Sequence, residues 1–340
     1  MSDETSDETS DETSDETSDE TGEETGAGPG VELSAPDIGR WRGGGTGVAY
    51  VHSFEGPRPG RHVLITGVVH GNEICGAIAL DRLLSDRLRP ARGRLSLAFV
   101  NVAAYQRFDP ADPTASRYVD EDFNRLWSAE VLDGPRASVD LARARELRPL
   151  VDSVDLLLDI HSLQQGDDAI LLAGPLEKGR TLARQVGAPA TVVADRGHAA
   201  GTRLRDYAGF ADPAGDRNAL LVECGQHWHA GTDEVALETA VRFLAAAGTI
   251  DAAVARAYGA DTPAPPQRLV EVSDAVTVTS EDFAFVEPYR GLEVIAKAGT
   301  VIARDGARVV ATPYDDCVLI MPSLSLKPGQ TAVRLGRRIG

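Results

Sequence analysis

A run such as "RHVLITGVV" that is apolar almost throughout, rather than at every second residue, is the strongest constraint in this chain. It recurs in "GRLSLAFVN", "DLLLDIHS", "AILLAG", "ATVVAD" and "NALLVECG". A strand with one wet face alternates apolar and polar residues, whereas a strand covered on both faces reads as a continuous apolar run. Between these runs lie "EICGAIALDRLLSDRL", "VDLARARELRPLVDSV", "EKGRTLARQVG" and the long "TDEVALETAVRFLAAAGTIDAAVARAYG", each with apolar residues at helical spacing. Buried strands alternating with helices predict an α/β fold, a layered α/β/α domain over residues 31–259.

The pattern then changes. "ADTPAPPQR", residues 260–268, is a proline-rich linker. Beyond it, short alternating segments such as "RLVEVSDAVTVTS" and "ARVVATPYDDCVLIMPS" are punctuated by Gly, Pro and Asp. They predict a small all-β domain over residues 269–340.

The other end of the chain is of a different kind. Residues 2–21 are five tandem copies of Ser-Asp-Glu-Thr. Up to Gly26 the chain carries 12 acidic and no basic residues, so the formal net charge of −18 leaves only −6 for the remainder. With no apolar side chain between Met1 and Ala27, residues 1–30 are expected to be a disordered acidic tail. The mildly acidic body argues against nucleic acid as a partner. No apolar stretch approaches the roughly 20 residues of a membrane helix, and the acidic start lacks the form of a secretory signal. A cytoplasmic location without membrane attachment is expected. Cys75, Cys224 and Cys317 are far apart and form no CxxC pair, which fits buried thiols rather than a disulfide frame or thiolate zinc site.

Ligands of α/β domains gather at the carboxyl ends of the strands. The run from Val63 ends in His70-Gly71-Asn72-Glu73, "DLLLDI" ends in His161-Ser162, and "ALLV" ends in Glu223. A metal bound by His70, Glu73 and His161 would have two nitrogens, one carboxylate and an open position for water. That is the zinc ligand set of a hydrolytic rather than a structural site. After the second run, "SRYVDEDFNRLW" interleaves Arg117, Asn124 and Arg125 with aromatic residues. Guanidinium groups grip carboxylates through two parallel hydrogen bonds, and an adjacent amide can hold a carbonyl. Taken alone, these arginines read better as surface residues paired with Asp120, Glu121 and Asp122. His227 and His229, in "QHWH", are read as loop or cleft-lining residues, with His227 near a substrate.

With these motifs in order, the chain resembles the succinylglutamate desuccinylase/aspartoacylase family, zinc hydrolases related in fold to metallocarboxypeptidases. The resemblance covers about residues 60–335 and rests on "GVVHGNE", "SRYVDEDFNRLW", "LLLDIHS", "LLVECG" and the carboxy-terminal "GTVIARDG…VVATPYDDCVLIMPS". It implies that His70, Glu73 and His161 bind one zinc ion and that Glu223 shuttles protons. It implies that Asn124 and Arg125 grip a substrate carboxylate, and that Arg117 polarises the amide carbonyl or holds the acyl group. Arg203, with Arg205 as its competitor, stands where some members keep a further substrate arginine. The expected activity is hydrolysis of the amide bond of a small N-acyl amino acid, with zinc-bound water as nucleophile. The alternatives are a carboxypeptidase-like peptidase and a catalytically inactive scaffold. The family's carboxy-terminal pocket tyrosine has no clear counterpart in "SLKPGQTAVRLGRRIG", which leaves the acyl group open.

Overall fold

All six residues of the strand His62–Gly67 are buried, as its unbroken apolar run requires. The computed structural model describes residues 30–339 except 167, 198–199, 264–265 and 324–325, so the acidic repeat lies outside the described residues. In chain order the first elements are β1 (Val51–Glu55), β2 (His62–Gly67), α1 (Ile74–Ser85), β3 (Arg94–Phe99), α2 (Val102–Tyr105), α3 (Ala129–Asp133) and α4 (Val139–Asp152). Next come β4 (Leu156–Leu163), β5 (Ile170–Leu172), α5 (Glu177–Val186), β6 (Thr191–Ala194), β7 (Asn218–Gln226), α6 (Thr232–Ala246) and α7 (Ala252–Ala257). The remainder is all strand: β8 (Arg268–Thr277), β9 (Phe283–Phe285), β10 (Val294–Ile295), β11 (Val301–Asp305), β12 (Arg308–Ala311), β13 (Cys317–Ile320) and β14 (Thr331–Ile339).

Eleven strands form one sheet in the order β1-β3-β2-β4-β7-β5-β6-β8-β14-β13-β10. The centre is parallel, β3-β2-β4-β7, while β1 is an antiparallel edge strand that the apolar-run pattern does not reveal. Its sequence, VHSFE, is interrupted by His52 and Ser53 and only partly buried, and so carries no continuous apolar signal. One face of the sheet is covered by α1, α5 and α6 through residues such as Leu80, Leu83, Leu182 and Phe243. The other is covered by α4 and by the loop before it, through Leu141, Leu147, Phe123 and Trp127. This is the expected three-layer α/β arrangement. The long helical stretch from Thr232 is two helices, α6 and α7, separated by residues 247–251.

The carboxy-terminal strands follow the expected all-β content, with β12, β11 and β9 in a separate three-stranded sheet. Their connection to the rest is closer than the proline-rich stretch suggests. β8 pairs in parallel with β6, from Thr191↔Arg268 to Ala194↔Glu271, so backbone hydrogen bonds cross from the α/β layer into the β region. From Val31 onward the chain forms one compact unit. Strand β14 thereby runs beside β8 and carries residues to the functional site.

Candidate metal centre

The site is built where β2, β4 and β7 end. After β2, Val68 adopts φ 55°, a left-handed conformation that is a genuine outlier for a β-branched residue. Gly71 follows in the His70–Glu73 turn, and a Cβ there would lie 2.4–2.5 Å from backbone atoms of Ala104, Ser116 and Tyr105. Only glycine permits that approach, and Gly71 N donates to the Arg117 carbonyl at 3.1 Å. The glycine thus docks the His70 turn onto the loop carrying the arginines. From the other side, Trp228 Nε1 donates to the Asn72 carbonyl at 3.0 Å.

His70, Glu73 and His161, all buried, place one ligand atom each within 4.8 Å of one another. Both imidazoles turn Nδ1 toward Glu73: His70 Nδ1 is 2.7 Å from Oε1, and His161 Nδ1 is 2.8 Å from Oε2. Each Nε2 is held by an aspartate, at 2.9 Å from Asp122 Oδ1 for His70 and 2.9 Å from Asp159 Oδ2 for His161. Thr66 Oγ1 donates to the second oxygen of Asp159 at 2.6 Å. The donor set fits zinc: two nitrogens and a carboxylate converge, and an outer carboxylate orients each ring.

Electrostatics follow from burial and these pairings. Burial opposes ionisation of Glu73, but the two imidazoles outweigh it and hold the carboxyl well below its usual range. Burial likewise opposes charge on His161, and Asp159 and Glu73 reverse the balance, raising it. Glu223 is the Cα partner of His161 across the β4–β7 ladder. Burial pushes its carboxyl up to about 8, with His161 pulling down and the Glu73 carboxylate adding to the rise. A bound dication would favour its ionised form.

The second half of the site lies on the loop before α3. Buried Asp140, in the first turn of α4, accepts from the backbone N–H groups of Val119, Asp120 and Glu121 at 3.2, 2.7 and 3.1 Å. Phe123 and Trp127 anchor the loop in the core. Thus clamped, it presents Arg117 with Nη2 3.1 Å from His70 Nε2 and 3.3 Å from Asp122 Oδ2. Asn124 Oδ1 accepts from Leu204 N at 2.9 Å, which leaves its NH2 for a ligand. Arg125 Nη2 lies 3.9 Å from Asp122 Oδ2. These residues border a cavity of about 440 Å³ that also contains His70, Glu73, His161 and Glu223.

Arg203 also borders the cavity, but the fork expected to grip substrate is closed on Asp195, with Nη1 and Nη2 at 2.9 and 2.8 Å. Its Nε donates to Asp206 at 2.5 Å. Arg205 points elsewhere, donating to the carbonyls of Ala173 and Ala219. His227 lines the cavity with Nδ1 2.8 Å from Ser162 Oγ, and burial lowers its pKa to about 4.

Sequence reasoning passed over Asp159 and Arg334, and read Asp122 only as a partner of the loop arginines, which it is, without its contact to His70. Asp159 had a signal, because residues two apart on a strand share a face. Arg334 had none, since nothing local says that β14 reaches this cavity. Among the described residues no helix is long and apolar enough to cross a membrane.

Comparison with known proteins shows what the chain is similar to. Residues 59–246 match the Succinylglutamate desuccinylase/Aspartoacylase catalytic domain. Succinylglutamate desuccinylase of Burkholderia pseudomallei is 26% identical over 314 residues, covering 86% of this chain and 84% of that protein. Human N-acyl-aromatic-L-amino acid amidohydrolase (carboxylate-forming) is 32% identical over 126 residues, 34% of this chain and 37% of that one. The crystal structure of succinylglutamate desuccinylase from Vibrio parahaemolyticus superposes with a TM-score of 0.63 at 17% identity, covering 86% of this chain and 87% of that one. The chain belongs to the succinylglutamate desuccinylase/aspartoacylase family of acyl amino acid amidohydrolases.

Proposed function

We propose that this protein is a zinc-dependent hydrolase that cleaves the amide bond of a small N-acyl amino acid. The observation that carries the reading is the convergence of His70, Glu73 and His161 with Glu223 on the neighbouring strand and Arg117 beside His70. Zinc bound by those three residues would polarise the amide carbonyl and acidify water. The remaining work falls to the chain's own side chains. Glu223 takes the proton of the attacking water on a carboxylate oxygen and passes it to the leaving amine nitrogen. Its burial suits a base whose proton affinity must rise and fall around neutrality. Arg117 donates to the carbonyl oxygen as negative charge develops there. Arg125 and the Asn124 amide hold the substrate carboxylate and thereby set the distance of the scissile bond from Glu223.

The test is to measure zinc content and then offer the purified protein N-acetyl, N-succinyl and longer N-acyl amino acids beside short peptides. One zinc per chain and release of a free amino acid are expected. Faster cleavage of peptides would favour the peptidase alternative. Stoichiometric zinc in His70→Ala/His161→Ala would place the metal elsewhere.

A further inference from the structure

One buried titratable side chain in the cavity has no task in the proposed reaction. His227 is 1% exposed and borders the cavity together with Ser162. Its place is fixed on three sides. The backbone N–H donates to the Leu163 carbonyl at 2.8 Å, Nδ1 lies 2.8 Å from Ser162 Oγ, and the ring packs on Trp228 with centroids 5.3 Å apart. Trp228 is in turn tied to the His70–Glu73 turn through the Asn72 carbonyl. The remaining ring atom, Nε2, is buried and has no hydrogen-bond partner among the described residues. Buried polar groups are nearly always paired, so an orphan on a cavity wall marks a place for a ligand atom. Glu223 Oε2 is unpaired in the same cavity, but the proposed reaction uses that carboxylate to carry a proton.

This wall differs in chemistry from the loop that carries the arginines. Arg117 and Arg125 only donate, and they do so with full charge. The Asn124 amide offers its NH2, because its oxygen is taken by Leu204 N. His227 has a hydroxyl, not a carboxylate, beside Nδ1. Burial lowers its pKa, with Glu73 opposing and Arg117, His70 and His161 adding to the fall. An uncharged imidazole carries its proton on either nitrogen. When Ser162 donates to Nδ1, Nε2–H donates to a ligand; when Nδ1–H donates to Ser162, Nε2 accepts. A substrate hydroxyl, which both gives and takes hydrogen bonds, matches the ring in either arrangement. A methyl group in its place leaves Nε2 buried and unpaired. Ser162 directly follows the metal residue His161, so the contact falls near the scissile bond.

We propose that His227 is a specificity-determining residue whose Nε2 hydrogen-bonds a substrate hydroxyl close to the scissile amide, so that hydroxylated N-acyl amino acids are selected over their alkyl isosteres. This rests on the amide-hydrolase reading above. The hydroxyl can belong to the acyl chain or to the amino acid side chain, and isosteric pairs separate the two sources. N-glycoloyl against N-propanoyl and N-lactoyl against N-isobutyryl derivatives of one amino acid test the acyl chain. N-acetyl-L-threonine against N-acetyl-L-valine tests the amino acid.

In the zinc-loaded full chain, the wild type should favour the hydroxylated member of one pair by about tenfold or more in kcat/KM, the size expected when an isostere leaves a buried polar group unpaired. His227→Phe keeps a ring against Trp228 and should bring that ratio to within about threefold of one. Should the phenylalanine variant not fold, Ser162→Ala, which removes the partner of Nδ1, should lower the ratio at least about threefold. A wild-type ratio below about threefold in every pair overturns the proposal, and so does a phenylalanine variant, or in its stead the alanine variant, that keeps the wild-type ratio. If the wild type cleaves no N-acyl amino acid, the hydrolase reading fails and binding decides this one. N-glycoloyl-L-threonine should then raise the wild-type Tm more than N-propanoyl-L-valine does, and His227→Phe should abolish the difference. Equal shifts in the wild type, or a difference that the variant keeps, overturn the contact.

Discussion

Asp159 and His161 lie two residues apart on β4, and Asp159 Oδ2 is 2.9 Å from His161 Nε2. Strand geometry places both side chains on one face, so the carboxylate fixes the ring that offers Nδ1 toward Glu73. Thr66, the Cα partner of Asp159 on β2, holds the other oxygen. Ligand orientation is thus decided by a row of side chains running across two neighbouring parallel strands.

Asp159→Asn should therefore weaken zinc by roughly 10–100-fold while leaving the fold intact, the usual effect of losing an outer carboxylate. Competition against a chromophoric chelator measures this. An unchanged affinity would mean that the ring is held by packing alone.

Glu223 moves protons in the proposed reaction and does not bind metal. Glu223→Gln should keep zinc and thermal midpoint and lose about 10²-fold or more in kcat. Near-full turnover by this variant would transfer the base to another group, with His227, which also lines the cavity, a candidate.

Arg125→Ala should act mainly on KM, since a carboxylate contact made equally in ground and transition states contributes to binding alone. Lysine at this position should restore little, because it lacks the planar fork. Steady-state kinetics on acidic N-acyl substrates would show this. Unchanged kcat/KM for all of them would release Arg125 from substrate binding.

His62 offers a pH-dependent stability test remote from the metal residues. Its Nε2 lies 2.8 Å from Ser96 Oγ and its Nδ1 3.1 Å from the Ser153 carbonyl. Burial lowers its pKa, opposed by the Ser153 contact. The folded protein thus binds this proton less readily than the unfolded chain. Stability is intact above the unfolded value of about 6.5 and falls as pH drops from there toward the folded value. His62→Gln should show a flatter dependence of Tm between pH 7.5 and 5.5 than the wild type. Parallel curves for the two proteins would show that His62 pays no such penalty.

Much of this protein was legible in its residue order because the decisive signals are local. Strands covered on both faces must be apolar throughout, and helices between them must carry a stripe, so the α/β layers are read directly from periodicity. His70, Glu73, His161 and Glu223 stand out because each ends such a run, where α/β folds gather ligands. Other features depend on contacts between distant segments and leave no local trace. The fork of Arg203 closes on Asp195, and Asp140 clamps the loop before α3. The edge strand β1 has no apolar run to mark it. Arg334 looks like any arginine on an alternating strand, and only the pairing of β8 with β6 brings β14 to the cavity. Periodicity reports which face of an element is buried, but which distant side chain completes a site is decided by the tertiary pairing of strands.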